Sequence, residues 1–180
     1  PEQSNLGGNQ GIFTPTDIYD LKRAGKWTSA IGQLKLIQTQ SVSSVSSVNF
    51  TSIRETEFNT HFLTMNNLIG SDDAGISGRF SNDGGSTYES ASYQYALAFG
   101  AGNNSFGFSR STSSNSLTRF GALGSLVREV GNGYAYFYGL GNANRYNIVT
   151  QHSSSINSNG ANIFYWGAQA YKVKETINAL

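Results

Sequence analysis

The sequence predicts an all-β protein, an antiparallel β-sandwich or jelly roll behind a short N-terminal arm and helix. Three observations carry this reading. Residues 58–99, FNTHFLTMNNLIGSDDAGISGRFSNDGGSTYESASYQYALAF, alternate their side chains with the two-residue period of strands. The connections SDDAG and NDGGS are Asp/Asn/Gly clusters that tolerate positive φ and supply their own turn hydrogen bonds. The 21 glycines, with aromatic residues as frequent as charged ones at 13% each, fit many strands joined by tight turns and argue against disorder.

In chain order, SNLGGNQGIF reads as an arm that cannot fold alone and is expected to be pinned by a neighbour. TPTDIYDLKRAG then carries the marks of a short helix. Thr14 stands as N-cap, Pro15 at the first helical position, Asp17 in the first turn and Gly25 as the stop. Ile18 and Leu21 share its apolar side, and Lys22, Arg23 and Lys26 lie where the helix dipole favours positive charge. Residues 1–27 are therefore set apart as arm and helix, and 28–180 as the sandwich domain.

After Trp27, IGQLKLIQTQ alternates Leu34 and Leu36 with Lys35 and Ile37, while SVSSVSSVNFTSI spaces Val42, Val45 and Val48 three apart. Ser and Val are poor helix formers, so two short strands with a turn are expected here. Phe58, Thr60, Phe62 and Thr64 then fall opposite His61, Leu63 and Met65, and Ile76, Gly78 and Phe80 opposite Ser77 and Arg79. Tyr93, Tyr95, Leu97 and Phe99 fall opposite Gln94, Ala96 and Ala98. Further strands are expected in GFSRSTSS, LTRFGALGSL, a hairpin from Leu126 to Tyr138 turned at Gly131, Asn132 and Gly133, YNIVTQH, and NIFYWGAQAYKVKETINAL. The total is about ten short strands, with no helix-length crossover after residue 27, which favours two antiparallel sheets. Thr176 to Leu180 read as a strand beginning, so the domain is expected to run past Leu180.

Composition excludes several functions. The 12 basic and 11 acidic residues are spread along the chain and leave no electrostatic footprint for nucleic acid or anionic lipid. The absence of cysteine removes disulfides, thiolate metal sites and cysteine nucleophiles. No apolar run approaches the ~20 residues of a membrane helix, and PEQSNLGG lacks the basic and apolar regions of a secretory signal. The chain as it stands reads as soluble and unexported.

Catalysis finds no anchor. His61 reads as an outward strand residue and His152 as a solvated turn residue beside three serines, neither within a nucleophile or metal motif. No G-x-S-x-G elbow occurs. Asp72, Asp73 and Asp83 flank a strand, which raises a glycosidase pair or, with Asn82, a calcium site, but turn formation is the simpler role. The Gly100–Gly102 and Gly139–Gly141 pairs do not extend into phosphate loops. No catalytic, cofactor-binding or metal residue is assigned.

Binding is better supported, because Tyr88, Tyr93, Tyr95, Tyr134, Tyr136, Tyr138, Tyr165 and Trp166 offer amphipathic rings that stack on sugars or anchor protein interfaces. Tyr134, Tyr136 and Tyr138 share one strand face, and Trp166 lies opposite Tyr165. The candidate interaction surface comprises Phe13, Trp27, Tyr134, Tyr136, Tyr138 and Trp166.

GIFTPTDIYDLKRAGKW, then IGQLKLIQTQSVSSVSSVNFT, then FNTHFLTMNNLIGSDDAGISGRFSNDGGSTY together resemble small β-rich virion proteins of tailed marine bacteriophages. Arg79, Phe80, Asp83, Gly85 and Tyr88 match an Arg-Phe-x-x-Asp-x-Gly-x-x-Tyr pattern of that group. The resemblance implies a non-enzymatic structural protein on the virion surface, made in the host cytoplasm. A capsid decoration (cement) protein is the first expectation, and a tail-fibre module recognising a host glycan is the alternative. Its expected partners are capsid or tail subunits and further copies of itself, with a trimer as the expected stoichiometry, and no cofactor.

Overall fold

The helix forms where its caps predict. The computed structural model describes residues 14–25, 34–71 and 74–180, and the chain divides into two units, Pro1–Thr39 and Gln40–Leu180. In the first, α1 (Pro15–Arg23) opens with a reciprocal capping box. The Asp17 N–H donates to Thr14 Oγ1 at 3.3 Å, and Asp17 Oδ2 accepts from the Thr14 N–H at 2.8 Å and its hydroxyl at 2.6 Å. These bonds favour the ionised form and hold the Asp17 carboxyl below the ordinary carboxylate range. Gly25, at φ +65°, closes the helix in a left-handed conformation that favours glycine.

The two strands expected between residues 31 and 53 do not form among the described residues, where the chain runs irregularly and only Thr51 makes an isolated bridge, to Ala179. Leu34 and Leu36 remain 80% and 78% exposed. Alternation creates a strand only where a neighbour supplies a ladder, and positive φ at Ser44 and Ser52 interrupts the extended run.

In the second unit, six strands form one antiparallel sheet: β1 (Thr60–Leu68), β3 (Tyr93–Ala101), β4 (Ser105–Ser114), β6 (Gly131–Tyr138), β7 (Asn147–Ile156) and β8 (Asn162–Tyr171). Their order is β1-β6-β7-β8-β3-β4. The short β2 (Ala74–Gly75) and β5 (Ala122–Leu123) pair as a second sheet. The described residues thus form an all-β antiparallel sandwich whose larger layer holds six strands and whose smaller layer holds two plus extended chain. Among the described residues eight strands form, where about ten were expected of the whole chain. The run from Ile76 to Phe80 makes only a bridge, from Gly78 to Leu117.

One face of the large sheet is covered. Leu63, Ala135, Phe137, Val149, Tyr171 and Tyr93 point from the sheet into a core that Phe80, Leu117, Phe120, Leu140 and Ile177 close from outside. The rings of Phe80, Tyr93 and Tyr171 meet at 4.9–6.0 Å, and the buried Tyr93 hydroxyl accepts the Phe80 N–H at 2.8 Å. Burial pushes that hydroxyl's pKa up to about 12. The expected strand beginning at Thr176 is extended chain inside this core. Ile177 and Ala179 are fully buried, and Ala179 bridges both Thr51 and Ser81.

Three local readings are corrected. His61 points inward at 7% exposure, because the register that turns Thr60 and Phe62 outward turns His61 toward the core beside Leu63. His152 lies within strand β7 rather than in a turn. Gly131, Asn132 and Gly133 lie within strand β6 rather than at a hairpin tip. Glycine serves close approach there, since a Cβ on Gly131 would overlap the Leu123 side chain of the cover.

Candidate interaction face

The other face of the six-stranded sheet carries no covering layer within this unit. Strand pairing assembles its side chains into rows. Thr64, Tyr134, His152, Trp166, Ala98 and Phe108 lie in register across all six strands. The adjacent row is Phe62, Tyr136, Thr150, Ala168, Ala96 and Arg110. At ~4.8 Å between strands the platform is roughly 24 Å wide.

Four of the sequence-predicted residues come together on this face, Tyr134, Tyr136 and Tyr138 from β6 and Trp166 from β8. Phe13 and Trp27 lie outside the described residues. Phe62, His152, Phe106 and Phe108 join the same face, although no reading of single strands linked them. Phe108 is 77% exposed, Phe106 68% and Trp166 57%, values that an isolated core-forming aromatic would not show.

The rings are organised. Phe62 lies 4.6 Å from Tyr136, which stacks on Tyr138 at 6.3 Å and meets Tyr134 edge-on at 6.1 Å. Tyr134 in turn meets His152 edge-on at 5.7 Å. These stacked, tilted and edge-on contacts make a tyrosine ridge along β6. Phe106 and Phe108 make a smaller edge-on pair at 6.0 Å on β4. Between them the floor over β8 and β3 is low, formed by Ala96, Ala168 and Ala170. Trp166 rises from it with no ring partner among the described residues. Gly100 is overlain by Phe164, whose ring is 2.6 Å from where a Cβ would stand. Beside it lies an open depression of about 430 Å³ with Gly102, Asn104 and Asn162 among its lining residues and no titratable side chain in its wall.

The acidic loops do other work. Both Asp83 oxygens are engaged within their own turn. Oδ1 accepts from Ser81 Oγ at 2.8 Å and the Thr87 N–H at 2.9 Å, and Oδ2 accepts from Thr87 Oγ1 at 2.7 Å. These bonds pull its pKa down to about 2, so it is neither a proton donor near neutrality nor a free ligand. Asn82 is turned to Glu175 at 2.7 Å. Asp72 and Asp73 lie outside the described residues. Buried His61 donates from Nε2 to the Ile53 carbonyl at 2.8 Å, a structural bond, and burial holds its pKa below the ordinary 6.5.

Among the described residues, no helix is long and apolar enough to cross a membrane and no three His, Cys, Asp or Glu side chains cluster to hold a metal. The face is aromatic, interleaved with hydroxyl and amide groups, and bears one full charge at Arg110. Comparison with protein-family models, with curated proteins and with solved structures returns no match for this chain.

Proposed function

We propose that this chain is a non-enzymatic structural protein of a tailed-phage virion, most simply a capsid decoration protein that acts by non-covalent docking. The observation that carries the docking role is the open sheet face, on which four strands contribute exposed aromatic rings around a floor of alanines. An aromatic-rich, charge-poor patch of this kind has the composition of an interface core. The phage assignment rests on the sequence resemblance. Within the matched motif Phe80 is buried and Asp83 and Gly85 build the turn that carries it, an architectural rather than chemical use. Labelling intact particles with an antibody to this chain tests the assignment. Signal over the head is expected, and particles that carry none overturn the virion role.

A second reading places the protein on the tail as a module binding a neutral host glycan. One observation favours it: Trp166 presents an unpartnered indole with the Thr150 hydroxyl and the His152 imidazole in adjacent positions, the elements of sugar stacking. A glycan array separates the two. Specific binding that disappears in Trp166→Ala, together with label confined to the tail, would replace decoration by receptor recognition.

A further inference from the structure

Resting on that reading of the open face as a docking surface, we infer that its occupant is a second copy of this chain, packed face to face about a two-fold axis that runs along the strands. Area is the first argument. The large apolar side chains of the face range from 36% exposed at Phe62 to 77% at Phe108. With about 200 Å² per such side chain, they leave on the order of 700 Å² of mainly apolar surface in water. That exceeds the ~300–600 Å² of the largest patch on an ordinary monomer and approaches the ~800 Å² per partner of a stable interface.

Charge points to a neutral partner. Arg110 is the only permanently charged side chain in the two central rows, no carboxylate lies beside it there, and the whole chain carries a formal charge of +1. A strongly acidic or basic partner finds little to pair with, and self-association meets little repulsion.

Relief selects the second copy. Rotation about an axis along the strands sets β6 of one copy over β3 of the other, β7 over β8, and β1 over β4. Within the rows fixed by the sheet register, Tyr134 then meets Ala98, Tyr136 meets Ala96 and Phe108 meets Thr64, a tall side chain over a shorter one, while at the centre two rings meet, His152 over Trp166. Thr150 meets Ala168, and Phe62 meets Arg110, where a guanidinium over a ring is favourable. Two sheets packed ~10 Å apart need this alternation of tall and short. A single contiguous patch that fits itself closes at two copies, whereas a ring of three needs two different patches on each copy. The inference therefore sets a dimer against the expected trimer and assigns the open face to contact between copies, so that attachment to the shell falls to other surfaces of the dimer.

Light scattering and sedimentation of the full chain test it, with circular dichroism as the control for folding. The wild type is expected at twice 19.4 kDa. Ala96→Glu and Tyr136→Lys, both on the open face, are each expected to weaken association at least ~10-fold while retaining the β spectrum. Mixing the two variants should restore a heterodimer, because the two-fold sets Glu at 96 against Lys at 136. A wild-type monomer or trimer overturns the inference, as does a dimer that both variants leave intact or a mixture that fails to recover. Particle labelling is read separately: a dimer absent from virions refutes the virion role alone, and a monomer present on virions refutes the dimer alone.

Discussion

At the scale of the residue, His61 shows how one inward turn changes a side chain's meaning. Its imidazole is buried, its Nε2 bonded to Ile53, and its pKa depressed chiefly by desolvation. Between the folded value and 6.5 the unfolded chain binds more protons, so the stability from keeping His61 neutral is complete above pH 6.5 and is lost as pH falls through the folded pKa. Urea midpoints should therefore drop on acidification below about pH 6.5, and His61→Gln, which keeps a donor for Ile53, should flatten that drop. Asp83 acts at lower pH with the same sign. Its stabilisation holds above the ordinary carboxylate value of 3.8 and disappears as pH falls through about 2, so thermal melts of Asp83→Asn should start lower at neutrality and change less under acid. Gly85 is constrained by its conformation and its surroundings. At φ +91°, a Cβ would stand 2.9 Å from Thr51 and 3.1 Å from the Tyr88 hydroxyl, and Gly85→Ala should cost about 1–3 kcal/mol in chemical denaturation.

At the scale of the element, β7 and β8 are joined to the cover by a polar seam rather than by apolar packing alone. Gln169, 2% exposed, accepts the Thr118 N–H at 2.8 Å and donates to the Thr118 carbonyl at 2.8 Å and to Gln151 Oε1 at 2.5 Å. Gln151 passes the chain of bonds to the Arg119 carbonyl at 2.7 Å, and Ser153 bonds the same carbonyl at 3.2 Å. These amides imitate a neighbouring strand for a segment that forms no ladder of its own. Gln169→Leu keeps the volume but strands both Thr118 backbone groups, and denaturation should register a loss of about 1–3 kcal/mol. The seam also explains why β7 is hard to read from sequence. Of its inward positions only Val149 is apolar, and at Gln151, Ser153 and Ser155 the expected apolar alternation is replaced by polar residues whose burial depends on partners more than thirty residues away.

At the scale of the whole molecule, the core and the exposed aromatic rings occupy opposite faces of one sheet, so the proposed docking can be tested apart from stability. Trp166→Ala should leave the fold within about 0.5 kcal/mol of the wild type, since the indole is mostly in solvent, while abolishing whichever docking the open face performs. A melt and an association assay on the same sample check both halves. Coincident loss of folding and docking would mean that the ring supports the sheet rather than a partner.

Side-chain alternation and turn chemistry by themselves determined the all-β class, the capped helix and the facing of the strands at Tyr93–Phe99, Tyr134–Tyr138 and Ile163–Trp166. These signals are local, because the pleat and the turn are set by neighbours one to four residues away. Tertiary structure alone decided the strand order, and with it the union of Phe62, Tyr134, His152, Trp166 and Phe108 into one face. β3 pairs with β8, some seventy residues on, and β1 pairs with β6 at a similar distance, choices that no single strand's pattern encodes. Residues 34–50 form no ladder despite their alternation, since alternation sets which way side chains face but supplies no partner, and positive φ at Ser44 breaks the extended run.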